Sequence, residues 1–109
     1  MATAYRTAAA DNDLFNIAYH IGVESGRPAT VDRIVDELID CCDRLAETSS
    51  MSRTGTTAER IGPGIRLFHH RRWVIIFRYT DEAIIVLRFA DGSQDYLSWR
   101  LAGTEGESE

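Results

Sequence analysis

A chain of 109 residues, 44% of them hydrophobic and 27% charged, has the length and composition of a single globular domain with one hydrophobic core. No apolar run approaches the roughly 18 to 20 residues that a bilayer-spanning helix needs, and the first residues lack the charged-then-apolar layout of a secretory signal. The two cysteines, Cys41 and Cys42, are neighbours that cannot staple a secreted fold, so we expect a reducing, cytoplasmic setting.

The net charge of −5 hides a division between the two halves of the chain. Residues 1–52 hold four arginines against nine acidic residues, whereas residues 53–100 hold eight arginines against five acidic residues. The sequence contains no lysine. An arginine-only basic half can grip carboxylates or phosphates with its planar guanidinium groups, although GC-rich codon usage alone would give the same composition.

The first predicted element is a helix from Ala8 to about Ser25. Its apolar residues recur at i, i+3, i+4 and i+7, which is the spacing of one helix face: Leu14, Ile17, Ala18 and Ile21. Acidic residues near its start suit the helix dipole, and Gly26 is a suitable residue to end it.

A second helix is predicted to begin near Pro28, a residue favoured in the first helical turn. It carries the most regular apolar stripe in the sequence: Val31, Ile34, Val35, Leu38, Cys42 and Leu45. Two helices joined by a short connection should pack as an antiparallel hairpin. Because neither helix can cover the other's stripe completely, we expect a sheet to pack against both.

The rest of the chain is predicted to form strands. A polar loop from Thr48 to Ala58 leads to a short candidate strand, Ile65 to Phe68. Two stronger candidates follow, Trp73 to Tyr79 and Ala83 to Phe89, separated by a turn. This order predicts an α+β fold in which an N-terminal antiparallel helical hairpin packs on a small antiparallel β-sheet.

The end of the chain completes the predicted organisation. Tyr96 to Leu101 could form a last short strand or helix. We expect one domain over residues 1–101 and a flexible acidic tail over residues 102–109.

Several catalytic and metal-binding chemistries find little support. The Gly62 to Gly64 turn lacks the strand and helix context of a phosphate loop. The adjacent cysteines lie on a periodic helix without zinc-ligand spacing, which favours a buried structural pair. His69 and His70 would point to opposite faces of a strand and could not converge on one ion. We therefore predict no metal and no cofactor.

Basic and aromatic residues alternate along the predicted strands. The arginines are Arg66, Arg71, Arg72, Arg78 and Arg88, and the aromatic residues are Phe68, Trp73, Phe77, Tyr79 and Phe89. Such interleaving is typical of sheets that hold nucleic acid, and it also suits an extended acidic peptide added at a sheet edge. Alternatively, the aromatic residues belong to the core and the arginines only solvate an outer face.

The order of the elements and several local motifs resemble the RelE/ParE toxin superfamily of bacterial toxin–antitoxin pairs, and its ParE branch more closely. AAADNDLFNIAYHIG and VDRIVDELIDCCDRLAE are similar to the helical hairpin with which that branch opens. GPGIRLF is similar to its glycine-bearing loop and strand, with Arg66 as the characteristic arginine. RRWVIIFRY and RFADGSQD are similar to the two arginine-bearing strands that follow. The resemblance covers roughly residues 4 to 100.

The resemblance implies a toxin that an antitoxin neutralises by wrapping it with a C-terminal segment, and that poisons DNA gyrase. It implies that the sheet binds this partner through Arg66, Arg71, Arg72, Trp73, Arg78 and Arg88. We expect the helices to lie on one side of the sheet and these residues to be accessible on the other side.

The last motif departs from the family pattern. Asp91 and Gln94 stand where the family often has histidine and arginine. Losing two cationic positions weakens the alternative function, a RelE-like endoribonuclease that cuts mRNA on the ribosome, for which Arg88 and Tyr96 are the candidate catalytic residues. A third interpretation is an inactive family member that serves as a binding module. We expect protein recognition rather than catalysis, and no contact with a membrane.

Overall fold

The fold is a helical hairpin packed on a five-stranded mixed sheet, in a computed structural model that describes residues 3–48, 54–81 and 83–101. In chain order the elements are β1 (Thr3–Arg6), α1 (Ala8–Ser25), α2 (Pro28–Glu47), β2 (Thr56–Thr57), β3 (Arg66–His70), β4 (Trp73–Tyr79), β5 (Ala83–Asp91) and a short 3-10 helix (Tyr96–Ser98). The strand order is β1-β5-β4-β3-β2, with β1 parallel to β5 and the other neighbours antiparallel. Neither described helix is long and apolar enough to cross a bilayer.

Local signals in the sequence set the ends of the two helices. The Thr7 hydroxyl accepts a hydrogen bond from the Ala10 N–H (3.0 Å) and so caps α1, and it donates to the Leu87 carbonyl of β5 (2.9 Å). Gly26 ends α1 in the left-handed conformation, with φ +65°, where glycine has no steric penalty. Pro28 then occupies the first turn of α2.

The helix-side core fills the space between the hairpin and one face of the sheet. Its strand residues include Trp73, Ile75, Phe77 and Tyr79 of β4 and Ile84, Val86 and Phe89 of β5. Its helix residues are Ala10, Leu14, Ile17 and Ile21 of α1 and Ile34, Leu38, Cys41, Cys42, Leu45 and Ala46 of α2. The apolar stripes predicted for the helices therefore account for most of the helix residues in this core.

A second, smaller core covers the opposite face of the sheet, and we call it the far-face core. Val74 and Ile76 of β4 belong to it, as the alternation of side chains along a strand requires. The segment 58–65 and the last described residues, 96–101, lie over it. The Leu101 N–H donates to the Ile61 carbonyl (2.6 Å), and a Cβ on Gly62 would lie 1.8 Å from the Leu101 carbonyl oxygen. The close approach of these two segments therefore requires glycine at position 62.

The predicted fold class is confirmed, with additions at the edges of the sheet. The first helix and β4 have the predicted bounds, while β5 continues to Asp91 and the short candidate strand lies at Arg66–His70. The sequence did not predict β1, whose parallel pairing makes the sheet mixed, because its four mostly exposed residues show no apolar alternation. Residues 49–53 of the predicted loop and the predicted tail lie outside the described residues.

Candidate partner-binding site

The turn between β3 and β4 places two neighbouring arginines on the surface. His70 pairs with Trp73 across the hairpin, so Arg71 and Arg72 form a two-residue turn. Arg71 has φ +56°, a conformation that glycine favours and that strains other residues. The side chains of both arginines remain 56% exposed. This turn is therefore an accessible cationic point at the end of β3 and β4.

A carboxylate from α2 holds the strained turn in place. Glu37 accepts two hydrogen bonds from the Arg71 guanidinium, at 2.7 and 3.3 Å, and its Oε1 lies 2.9 Å from His70 Nε2. The bond from Arg71, and next that from His70, lowers the pKa of Glu37 to about 2. Glu37 is therefore ionised at neutral pH and links the helical hairpin to the β3–β4 turn.

Arg72 connects the turn to the end of β5. Its Nη2 lies 2.5 Å from Asp91 Oδ2, its Nη1 lies 3.9 Å from Glu24, and its guanidinium carbon stands 4.6 Å from the centre of the Trp73 ring. Burial opposes ionisation of Asp91, but hydrogen bonds from the Ser93 N–H and from Arg72 outweigh it and lower the pKa of Asp91. Arg72 is therefore surrounded by carboxylates and by one aromatic face.

Two hollows meet beside this turn and together form what we call the turn groove. They share four lining residues: Ile21, Glu24, Arg72 and Trp73. One hollow, of about 400 Å³, is also lined by polar groups of α1 and of the β5 end, among them Asn16, His20 and Gln94. The other, of about 440 Å³, continues between the helices toward Thr30, Ile34 and Arg71. The turn groove thus offers an apolar floor with cationic, acidic and amide groups at its rim.

Arg66, by contrast, is engaged within the fold. Its Nε donates to the Thr54 carbonyl (2.9 Å) and its Nη2 donates to the Gly55 carbonyl (3.2 Å). The Tyr79 hydroxyl accepts from the Thr54 N–H (2.8 Å), and Arg66 lies 5.8 Å from the Tyr79 ring centre. Arg66 therefore anchors the chain that leads into β2.

Arg88 makes a largely enclosed ion pair with Asp13. Its Nε and Nη2 lie 2.5 and 2.9 Å from the two carboxylate oxygens of Asp13, which also accepts from the Phe89 N–H (3.0 Å). The guanidinium carbon stands 4.5 Å from the Trp99 ring centre. Only 12% of the Asp13 side chain is exposed. Arg88 therefore ties α1 to β5 and to the segment over the far-face core.

The expectation of one accessible cationic side of the sheet is wrong. Apolar residues and the chain's own segments cover that side, because Val74, Ile76 and Leu87 present an apolar surface there. Trp73 lies on the helix side and is 5% exposed, although it lines the turn groove. Arg78 is half-buried in β4. Of the six residues predicted to bind a partner, the structure brings together Arg71, Arg72 and Trp73.

The candidate catalytic residues do not form an open site. Arg88 is committed to Asp13 and Trp99, and Tyr96 is half-buried against the far-face core. Cys41 and Cys42 are free and buried, and burial raises the pKa of Cys42 to about 12. Within residues 3–48, 54–81 and 83–101, no three His, Cys, Asp or Glu side chains are grouped to hold a metal ion.

Sequence reasoning missed the acidic partners of the arginines. Asp13, Glu37 and Asp91 each accept from one of them, yet Asp13 and Glu37 lie 75 and 34 residues from their arginine partners in the chain. Asp91 alone had been singled out in the sequence, as a departure from the last family motif. It pairs with the neighbouring turn because β4 and β5 are antiparallel.

Comparison with known proteins identifies the family to which the chain belongs. A family model described as "ParE toxin of type II toxin-antitoxin system, parDE" matches residues 5–96. The chain belongs to the ParE toxin family. The resemblance of its motifs to the ParE branch is thereby confirmed, and the matched range includes both helices and every residue of the turn groove named above.

One solved structure shares the ParE-family fold of this chain. It is described as "Chromosomal ParDE TA system from P. aeruginosa", and the similarity has a TM-score of 0.71 at 24% sequence identity. The similarity covers 84% of this chain and 96% of that chain. At this identity the likeness shows the fold alone. A search among curated proteins found no match.

Proposed function

We propose that this ParE-family chain acts as the toxin of a toxin–antitoxin pair, that a cognate antitoxin neutralises it, and that DNA gyrase is its cellular target. The family match over residues 5–96 is the observation that carries the proposal. The action is inhibition through protein binding in the cytoplasm, with no reaction catalysed by the chain itself.

The turn groove supports the antitoxin part of the proposal. Ile21 and Trp73 give an apolar floor on which an apolar side chain of a partner segment can lie. Arg71 and Arg72 stand beside that floor with more than half of each side chain exposed, so acidic residues of the segment can pair with them. A segment that orders on binding needs such a combination of apolar burial and charge pairing, since ordering costs conformational entropy.

The arrangement of Arg88 and Asp91 favours protein binding over RNA cleavage. A ribonuclease needs a base and free cationic groups around the scissile phosphate. Arg88 is held by Asp13, and the carboxylate of Asp91 would repel a phosphate that approaches the end of β5. The endoribonuclease alternative therefore gains no support from the described residues.

A supercoiling assay tests the target. Full-length chain made by cell-free synthesis, which avoids growth arrest of a host, is added to gyrase with relaxed plasmid. We expect inhibition of supercoiling and accumulation of gyrase-cleaved DNA, both reversed by the cognate antitoxin. Correctly folded chain that leaves supercoiling unchanged at a large excess over gyrase would contradict the gyrase assignment.

Two further experiments distinguish the proposed function from the endoribonuclease and from the inactive binding module. Primer extension on translated mRNA would show codon-phased cuts if the chain were a ribosome-dependent endoribonuclease, and Arg88→Ala or Tyr96→Phe would remove them. Induction of the gene in cells that lack a cognate antitoxin would leave growth unchanged if the chain were an inactive binding module. We expect no codon-phased cuts and arrested growth.

A further inference from the structure

One half of the turn groove exposes mainly polar surface. This half, of about 400 Å³, we call the polar hollow. Asn16, His20 and Glu24 line it from α1, and their spacing of four residues places them on one face of that helix. The segment after β5 contributes Ser93 and Gln94 to its lining. The other half exposes mainly apolar surface, so the two halves suit different side chains of a partner.

The charges around the polar hollow leave one carboxylate without a close cationic partner among the described residues. Asp13 is bound to Arg88 at 2.5 and 2.9 Å, and Asp91 is bound to Arg72 at 2.5 Å. Glu24 lies 3.9 Å from Arg72, a guanidinium group that already pairs with Asp91. The Glu24 side chain is 65% exposed. The polar hollow therefore has an excess negative charge, and that charge is located at Glu24.

The end of α1 adds to this negative charge. Glu24 lies in the last turn of α1, where the helix dipole favours basic side chains, yet that turn contains no basic residue. Arg27, which follows the Gly26 cap, lines a separate hollow with Pro28 and Asp32. A carboxylate at this end of a helix is unfavourable for the free chain. A cation from another molecule would therefore be stabilised both by Glu24 and by the helix end.

We infer that the polar hollow binds a basic side chain of the antitoxin segment, and that Glu24 is the residue that selects it. The inference rests on the proposed function, because it requires that an antitoxin segment lies in the turn groove. The guanidinium or ammonium group of such a side chain can pair with Glu24 and donate to the Asn16 amide oxygen. Its methylene groups can pack on Ile17, Ile21 and Phe89, which also line the hollow.

A segment that fits the whole turn groove therefore carries both signs of charge. Its basic side chain enters the polar hollow, while an acidic residue pairs with Arg71, which lines the other half. An apolar side chain lies between them on Ile21 and Trp73, which both halves share. A segment with acidic residues alone would be repelled by Glu24. The turn groove thus discriminates between partner segments by the order of their charges.

Titration calorimetry of the purified full-length chain with its cognate antitoxin is the test. We expect Glu24→Gln to raise the dissociation constant at least about tenfold, because a charge-assisted hydrogen bond is lost. Glu24→Lys should raise it at least about 100-fold, because repulsion is added to that loss. The matched control is Asp36→Lys, which reverses an acidic charge on the exposed face of α2 and should change the dissociation constant less than about threefold.

The stability of Glu24→Gln separates lost binding from a damaged fold. Its free energy of unfolding should be no lower than that of the wild-type chain, since the pair with Arg72 is long and exposed and since glutamine removes an unfavourable charge from the helix end. A variant that is as stable as the wild-type chain and binds the antitoxin more weakly supports the inference. Unchanged affinity for both Glu24→Gln and Glu24→Lys overturns it and leaves the antitoxin part of the proposed function standing.

Charge exchange tests the basic residue of the antitoxin directly. Each arginine and lysine of its toxin-binding segment is changed to glutamate in turn, and each variant is titrated against Glu24→Lys. One of these variants should bind the Glu24→Lys chain more tightly than the wild-type antitoxin does. If none does, the inference is overturned. Tighter binding of wild-type antitoxin to Glu24→Lys than to the wild-type chain would also overturn it, because an acidic side chain would then occupy the hollow.

Two further outcomes distinguish this inference from the proposed function. Weaker inhibition of gyrase by Glu24→Gln, with unchanged affinity for the antitoxin, would assign the polar hollow to the target and overturn the antitoxin assignment. A correctly folded wild-type chain that does not bind the antitoxin would contradict the proposed function and this inference together.

Discussion

The arginines at the β3–β4 turn and the arginines inside the sheet have the same chemistry and different surroundings. Arg71 and Arg72 are more than half exposed beside an apolar groove, whereas Arg66 and Arg88 are bound to backbone carbonyls or to an enclosed carboxylate. The turn arginines pair with Glu37 and Asp91 and still keep more than half of each side chain accessible to a partner, whereas Arg66 and Arg88 are committed to contacts within the fold. A count of arginines in the strands does not distinguish these two roles, while the position of the acidic partners does.

The largest expected effect on the free energy of unfolding concerns Arg88, one of the arginines inside the sheet. Arg88→Ala leaves the mostly buried Asp13 carboxylate with the Phe89 N–H as its remaining partner among the contacts described above, and it removes the contact with Trp99. We expect a loss of about 2 to 3 kcal/mol in the free energy of unfolding, measured by urea denaturation. Arg33→Ala, on the exposed face of α2, is the control and should change this free energy by less than about 0.5 kcal/mol. A comparably small change for Arg88→Ala would break the distinction between the two groups.

An intermediate effect concerns the backbone of the turn. Arg71→Ala and Arg71→Gly both remove the ion pair with Glu37, but only the alanine variant keeps a Cβ at φ +56°. The glycine variant should therefore be more stable than the alanine variant by roughly 1 kcal/mol. Equal free energies of unfolding for the two variants would show that the turn adopts another conformation.

The smallest expected effect is a loss of thermal stability at acidic pH. The pKa of Glu37 falls from 4.5 to about 2 on folding, because Arg71 and then His70 favour the carboxylate. A folded pKa below the unfolded one means that this stabilisation is fully present above pH 4.5 and is lost as the pH falls toward 2. Thermal unfolding of wild-type chain and of Glu37→Gln should therefore differ near pH 7 and converge near pH 2. A constant difference between the two melting temperatures over this range would contradict the assignment.

The sequence was sufficient to predict the helices and strands whose own residues carry a periodic apolar pattern. Gly26 and Pro28 mark the end of the first helix and the start of the second, and the nearly continuous apolar runs of β4 and β5 predicted the centre of the sheet. β1 was not predicted because it forms by parallel pairing with β5, whose residues lie far from β1 in the chain.

The candidate site was harder to predict for the same reason. Arginines at alternating positions suggested a shared face, but the reversal of the chain at Arg71 and Arg72 and the cover over the far-face core separate them. Which arginine is accessible depends on Asp13 and Glu37, which come from the helices. Only the packing of helices on the sheet brings those carboxylates to their partners.

One pair of measurements on Arg72→Ala tests the central claim that the turn groove binds the partner. We expect its affinity for the antitoxin to fall at least about tenfold, since charge-assisted pairs to an exposed guanidinium are lost, while its free energy of unfolding changes by less than about 1 kcal/mol. Arg33→Ala should bind as the wild-type chain does. An Arg72→Ala variant that keeps full affinity for the antitoxin would contradict the account.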